Sequence, residues 1–175
     1  MARIIILYST TDGHTREICS YLQQLVEKSG DEVTLVSIDD DPEVDLEAFD
    51  KIVIGASIRY GKHNVKVYKF IEENLSVLSK KPNAFFSVNA VARKVEKAQP
   101  DTNPYLQKFL KQIAWQPEEL AVFAGKIDYQ RYRFVDRFMI RFIMWMTKGP
   151  TDPNTNIEFT DWSQVDKFAQ VIHEM

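Results

Sequence analysis

The sequence predicts an α/β domain with a doubly wound, five-stranded parallel sheet. Three observations support this. Short apolar runs of strand length recur along the chain, and most are followed by a helical apolar pattern. The runs are nearly continuous rather than alternating, as strands buried on both faces must be. The loops after the first, third and fourth runs hold small, hydroxylated or glycine residues. In such a sheet those loops share one rim, the carboxyl edge where ligands bind.

Length and composition bound the rest. A chain of 175 residues is read as one domain, 1–175, with residues 126–158 as a basic, aromatic-rich insertion within it. A net charge of −3 argues against a nucleic-acid partner. Cys19 is the only cysteine, which excludes an intrachain disulfide and a CxxC metal or redox motif and points to a reducing compartment. No metal site is expected. The first strand begins too close to Met1 to leave room for a signal peptide. No apolar run approaches the ~20 residues needed to span a bilayer.

Ile4-Ile5-Ile6-Leu7 is the first strand. Small and hydroxylated residues follow, and then a helix with Ile18, Leu22, Leu25 and Val26 on one face, ending near Lys28 with Gly30 as its stop. In a strand–loop–helix unit the loop amides and the helix amino end converge on one point that favours an anion. Ser9, Thr10, Thr11 and Thr15 add hydroxyls, but the loop has no lysine, so it is not a Walker-type triphosphate loop. Hydroxyls and amides without a cation suit a phosphate monoester. A Ser/Thr turn that only caps a helix is the simpler alternative, although most caps need a single hydroxyl. The pattern Ile6, Leu7, Tyr8, Thr10, Gly13, Thr15 and Leu22 resembles the phosphate loop of the flavodoxin family, with Cys19 where that family usually has alanine. The resemblance implies FMN, its phosphate held by residues among Ser9, Thr10, Thr11, Asp12, Gly13, His14 and Thr15, and the strand order 2-1-3-4-5. His14 is expected to donate to phosphate or to face solvent.

Val33 to Ile38 forms the second strand, and Asp39-Asp40-Asp41 reads as a solvated acidic turn. Clustered aspartates also mark phosphate-receiver domains, but there the first strand ends in acidic residues, whereas here it ends in Ser-Thr. Lys51-Ile52-Val53-Ile54 is the third strand. Its loop runs from Gly55 to His63, and Ala56, Ser57, Ile58, Tyr60 and Gly61 are candidates to flank a flat ring. Tyr60 either stacks on that ring or is a half-buried loop aromatic. His63 is a candidate for proton exchange. A helix follows with Val67, Phe70, Ile71, Leu75 and Leu78 inward. Ala84 to Val88 is the fourth strand, and its exit supplies Ser87, Val88, Asn89, Ala92 and Arg93 as further cofactor candidates. Asn103-Pro104 starts a helix whose core face is Leu106, Phe109, Leu110 and Ile113. Leu120 to Ala124 is the fifth strand. In the last helix Asp161 is the N-cap, Gln164 follows three residues on, and Val165, Phe168, Ala169 and Ile172 are buried. No role is expected for His173.

The segment 126–148 stands apart. It carries six Lys or Arg against two Asp in a chain that is acidic overall. Six of the 21 aromatics and three of the five methionines lie in it. Arg133, Arg137 and Arg141 recur every fourth residue and form a helical stripe. Phe134, Phe138, Phe142 and Trp145 run beside it, widened by Val135, Met139 and Met146. A basic stripe beside an apolar face is the pattern of a helix lying in a membrane interface. It also suits a grip on a large apolar ring bearing carboxylates. The plainer alternative is a helix packed on the sheet with solvated arginines.

Four segments bring a closer likeness: Gly-Ala-Ser-Ile-Arg-Tyr-Gly at 55–61, Ser-Val-Asn-Ala-Val-Ala-Arg-Lys at 87–94, Tyr-Arg-Phe-Val-Asp-Arg-Phe-Met-Ile at 132–140 and Thr-Asp-Trp at 160–162. Together they resemble the menaquinone-dependent protoporphyrinogen oxidase family, flavodoxin-like enzymes of bacterial haem synthesis. The resemblance implies oxidation of protoporphyrinogen IX to protoporphyrin IX through FMN, with electrons passed to a membrane quinone. It implies a peripheral location on the cytoplasmic side of the inner membrane. Arg59, Lys94, Arg133, Arg137 and Arg141 are the candidates to meet substrate propionates or lipid headgroups. No protein acid or base is assigned. Three rivals have distinct signatures: a flavodoxin-type electron carrier, which would be acidic around its flavin; an NAD(P)H:quinone reductase; and a membrane-binding module without catalysis.

Overall fold

The computed structural model describes residues 1–175. Strand β1 (Arg3–Ser9) leads into α1 (His14–Lys28), and β2 (Glu32–Ser37) returns beside it. Then come β3 (Lys51–Arg59), the two-residue β4 (Lys62–His63), α2 (Val65–Glu73), α3 (Leu75–Leu78) and β5 (Asn83–Asn89). The chain continues through α4 (Pro104–Gln112), β6 (Glu119–Ala124), β7 (Lys126–Asp128), α5 (Phe134–Met146), β8 (Asn156–Glu158) and α6 (Trp162–Glu174). The parallel sheet runs β2-β1-β3-β5-β6, with β4 paired antiparallel to β3. Leaving out that hairpin strand, this is the expected order 2-1-3-4-5.

Each face of the sheet carries its own core. One is built from alternate sheet residues such as Ile5, Ile54 and Phe85 with Val67, Leu106 and Trp115. The other joins Ile4, Ile6, Val53 and Phe86 to the inner faces of α1 and α6, through Ile18, Leu22, Phe168 and Ile172. Burial on both faces explains the unbroken apolar runs. Cys19 is fully buried in the second core.

The structure corrects the sequence expectations in three places. Strand β3 does not stop at Ile54 but continues to Arg59 and turns back as a hairpin. Gly55 lies inside it, and a Cβ there would collide with the Phe86 ring, so this glycine serves packing rather than loop freedom. The single helix expected through Leu78 breaks at Asn74, whose backbone leaves the helical region and whose side-chain amide donates to the Phe70 carbonyl. His63 is not on an open loop. It is 3 % exposed, wedged against Phe85 and Phe109, and its Nε2 meets Ser87 Oγ at 2.9 Å.

Burial holds the His63 imidazole down to about 3, so it is neutral throughout the ordinary pH range and exchanges no proton with a ligand. The unfolded chain takes up this proton near pH 6.5, and the folded chain does not until far lower. Stability contributed by the neutral ring is therefore present above pH 6.5 and lost as pH falls toward 3. Denaturant midpoints should drop over that window with up to about 1.4 kcal/mol per pH unit from this residue. In His63→Phe that part of the acid limb should flatten, as equilibrium unfolding at a series of pH values would show.

Candidate functional site

The site begins where β1 ends. Ser9 is buried, and its hydroxyl donates to Asp39 Oδ1 at 2.6 Å; the Thr10 amide donates to Asp39 Oδ2 at 3.0 Å. The acidic run is thus not simply a solvated turn: Asp39 pins the entrance of the loop. Gly13 then takes a left-handed conformation, φ 89°, as the N-cap of α1, and its amide donates to Thr10 Oγ1. No side chain caps this helix. Its first amides have no intrahelical acceptor, and His14 and Thr15 of that turn line the cleft. Thr15 sits in the first turn, 1 % exposed, and its hydroxyl has no hydrogen-bond partner.

The β3–β4 hairpin forms the second wall. Its turn residues, Tyr60 and Gly61, both have positive φ (52° and 76°), as a tight hairpin demands. A tyrosine in that region is strained, and the strain sets it in the mouth of the cleft, half exposed. Its hydroxyl donates to Asp136 on α5, which raises the Tyr60 pKa. Arg59 binds Asp12 of the first loop, reaches Asp136 at 3.5 Å, and lies over the Tyr132 ring at 5.2 Å. Burial alone would depress its pKa, but Asp12, Tyr132 and Asp136 outweigh that and leave it raised. Arg59 therefore joins loop, hairpin and insertion in one node, a single cation shared by two carboxylates.

The third wall is Val88-Asn89-Ala90-Val91. Asn89 is buried and fixed from below. Its side-chain oxygen accepts from the Ala92 amide (3.2 Å) and Asn103 Nδ2 (3.0 Å), and its Nδ2 donates to Ser87 Oγ (3.2 Å).

The insertion closes the fourth side. Strands β7 and β8 zip its two ends together, pairing Lys126 with Glu158 and Asp128 with Asn156. Ile127, Tyr129, Tyr132 and Met144 make a small core of its own. Burial raises the Tyr132 pKa to about 12, keeping its hydroxyl protonated. Helix α5 turns Ile140, Ile143 and Met144 into the cleft. Its opposite face is bare: Phe134 is 83 %, Val135 68 %, Phe138 65 %, Trp145 71 % and Met146 65 % exposed.

The walls enclose a cleft of about 1070 Å³, open to solvent. Of the residues singled out from sequence, Thr10, Thr11, Asp12, His14, Thr15, Ser57, Ile58, Arg59, Tyr60, Gly61, Val88 and Asn89 line it. Gly13 shapes the loop without lining the cleft. Ser9, Ala56 and Ser87 lie buried within their strands behind the wall, and Ala92 is buried in the 3-10 turn Ala90–Arg93 that follows β5. Arg93 is bound to the Ala90 carbonyl and to Thr147, and burial lowers its pKa, so it splints the third wall to α5. Lys94 does not reach the cleft lining. Nor do Arg133, Arg137 and Arg141. Arg137 Nε donates to the Tyr129 carbonyl and Arg141 Nε to the Thr151 carbonyl, which turns the stripe away from the cleft. His14 lines the cleft but is largely buried, and both ring nitrogens already have partners. Its Nδ1 meets Glu17 at 3.0 Å and its Nε2 meets Thr160 Oγ1 at 2.7 Å. His173, expected to be idle, pairs with Asp31 at 2.7 Å, near the far end of the sheet. Sequence reasoning missed Tyr105, Lys126, Arg131, Tyr132 and the inner face of α5. The inner face had a signal, since Ile140, Ile143 and Met144 recur at helical spacing opposite the aromatic stripe.

These residues fit a phosphate monoester that carries a flat ring. An orphaned hydroxyl and uncapped amides await an anion, and nothing lies within 4 Å of where a Cβ on Gly13 would project. Tyr60 and Asn89 to Val91 line the same cleft.

Comparison with known proteins agrees with this geometry. The profile of the flavodoxin domain family matches residues 5–154. A protoporphyrinogen IX dehydrogenase (quinone) from Escherichia coli is 45 % identical over 170 residues, covering 97 % of this chain and 94 % of that one. One from Leishmania major is 43 % identical over 168 residues, covering 95 % of this chain and 73 % of that one. Among solved structures, a short-chain flavodoxin associated with a bacterial microcompartment aligns with a TM-score of 0.55 at 13 % identity, covering 99 % of this chain and 98 % of that one. An archaeal flavodoxin aligns with a TM-score of 0.54 at 16 % identity, covering 98 % and 96 %. At those identities the two structures share the fold.

Thr15→Val should have opposite effects with and without ligand. Removing an unpartnered buried hydroxyl should stabilise the ligand-free chain by about 1 kcal/mol, read as a higher Tm. FMN affinity should fall about tenfold by fluorescence titration, because a phosphate hydrogen bond is gone.

Proposed function

The chain belongs to the flavodoxin domain family and, within it, to the quinone-dependent protoporphyrinogen IX dehydrogenases, and on that premise we propose how its cleft carries out their reaction. The protein is an oxidoreductase that binds FMN and oxidises protoporphyrinogen IX to protoporphyrin IX, with a quinone as acceptor. The observation that carries the assignment of roles is the orphaned Thr15 hydroxyl, at an uncapped helix end that opens into an apolar-roofed cleft.

Bound there, FMN would supply the two-electron redox chemistry that connects oxidation of the macrocycle to reduction of the quinone. The chain's own residues bind and orient. Thr10, Thr11, Thr15 and the first amides of α1 hold the phosphate. Arg59 neutralises Asp12, so no uncompensated carboxylate stands beside that anion. Tyr60 and the Asn89–Val91 wall set the plane of the ring. Ile140, Ile143 and Met144 roof the remaining space and shed water from a second ring system laid against the first. His63 is buried and neutral, and both His14 nitrogens are engaged, so neither acts as a base.

The outer face of α5 seats the protein on the cytoplasmic leaflet of the inner membrane, where the quinone resides. Seven large apolar side chains on one helix are exposed there, with Arg133, Arg137 and Arg141 along its flank for lipid phosphates. No helix is long and apolar enough to cross a membrane. The protein thus lies on the surface through this helix.

Porphyrin fluorescence should appear anaerobically from protoporphyrinogen IX only when FMN-loaded protein and a quinone are both present. Reduced flavin without sustained porphyrin formation would point to an electron carrier instead. Phe134→Ser, Phe138→Ser and Trp145→Ser together should lower vesicle binding by at least about tenfold. Turnover with a bilayer-embedded quinone should fall in parallel, while turnover with a short, water-soluble quinone stays near wild type.

A further inference from the structure

Three cations line the cleft: Arg59, Lys126 and Arg131. They differ in how much of their charge the protein already uses. Arg59 is taken up by Asp12 and Asp136. The Lys126 ammonium makes no hydrogen bond or ion pair. Its partner across the β7–β8 ribbon is Glu158, but that carboxylate accepts from Trp162 Nε1 at 3.0 Å and lies 3.8 Å from His14 Nε2. Arg131 meets one anion, Asp128, through Nε at 3.8 Å, which leaves the paired outer nitrogens of its guanidinium free. Both residues are rigidly based. Lys126 is on the ribbon. Arg131 ends a short 3-10 turn, Tyr129–Arg131, whose entrance is capped by the Asp128 side chain accepting from the Gln130 amide at 3.2 Å.

Both residues line the cleft, Lys126 half-buried and the Arg131 side chain 58 % exposed, where a carboxylate carried in beside apolar side chains meets an unspent cation. We propose that Lys126 and Arg131 are the carboxylate anchors of the cleft. They hold a flat, apolar, dianionic macrocycle by its two acid side chains, Arg131 in a two-pronged contact and Lys126 as a point charge. The arginine stripe of α5 has no part in this grip, since none of its members lines the cleft and two are tied to main-chain carbonyls. This deepens the function proposed above and rests on it. It also accounts for selectivity: a neutral ring of similar size fills the apolar space but leaves both cations unpaired.

The test uses FMN-loaded Lys126→Gln, Arg131→Gln and the double variant, with saturating quinone. Each single change should raise the KM for protoporphyrinogen IX about tenfold, and the double change more, with kcat within about twofold. FMN content should match wild type, which also checks folding. The dimethyl ester of the same substrate should show one KM across all four proteins. Equilibrium titration with protoporphyrin IX should show the same loss for the diacid and none for the ester. An unchanged KM for the diacid in an active double variant, or an equal loss for the ester, overturns the anchors alone. A wild-type holoprotein that neither binds nor oxidises the diacid overturns the proposed function, and the anchors with it.

Discussion

The amino end of α1 is the constraint on which the site depends. Helix amides that lack acceptors must be satisfied by a cap, by water or by a ligand. Here the N-cap is Gly13, which has no side chain, and Thr15 brings a buried hydroxyl without a partner to the same place. Leaving such a group unmet costs about 1–3 kcal/mol. The surroundings hold that arrangement open. Ile4 to Leu7 anchor β1 between two cores, and Asp39 fixes Ser9 and Thr10. The unmet donors are therefore rigidly aimed at the point where a phosphate binds.

Asp12 stands at the edge of that anion site, which by itself is unfavourable. Arg59 resolves the conflict and has a second effect. Because the same guanidinium reaches Asp136, the charge balance of the first loop is linked to the position of α5. Tyr60 adds a hydroxyl contact to the same carboxylate from a strained backbone position. Neighbouring residues at the hairpin tip thus tie the insertion to the phosphate loop, and backbone strain at Tyr60 is consistent with a position selected for the site.

The insertion divides its work between two faces. The inner residues of α5 meet the cleft, and the outer aromatics meet whatever lies outside. Arginines that look from sequence like a grip on substrate are drawn sideways to the Tyr129 and Thr151 carbonyls. The charges left for the cleft are at the ribbon and the turn that follows it. A helix with two apolar faces needs something on each, which in the proposed function is a ring system on one side and a lipid surface on the other.

Much of this was written in local sequence. Continuous apolar runs fix a two-sided sheet, and Thr10, Gly13 and Thr15 at their spacing announce an anion loop, because both depend on residues close in the chain. The Asn103-Pro104 start of α4 and the Asp161 cap of α6 were legible for the same reason. Long-range contacts were not. Nothing near Ser9 shows that its hydroxyl belongs to Asp39, nothing near His63 shows that β5 and α4 will enclose it, and nothing near Lys126 shows that its ribbon partner is occupied elsewhere. Sequence by itself determined the order of strands and helices and the chemistry at the head of α1, since periodicity and turn chemistry are short-range properties. Only the tertiary structure decided which side chains face the cleft and which charges remain unpaired, since those depend on partners brought together from distant parts of the chain.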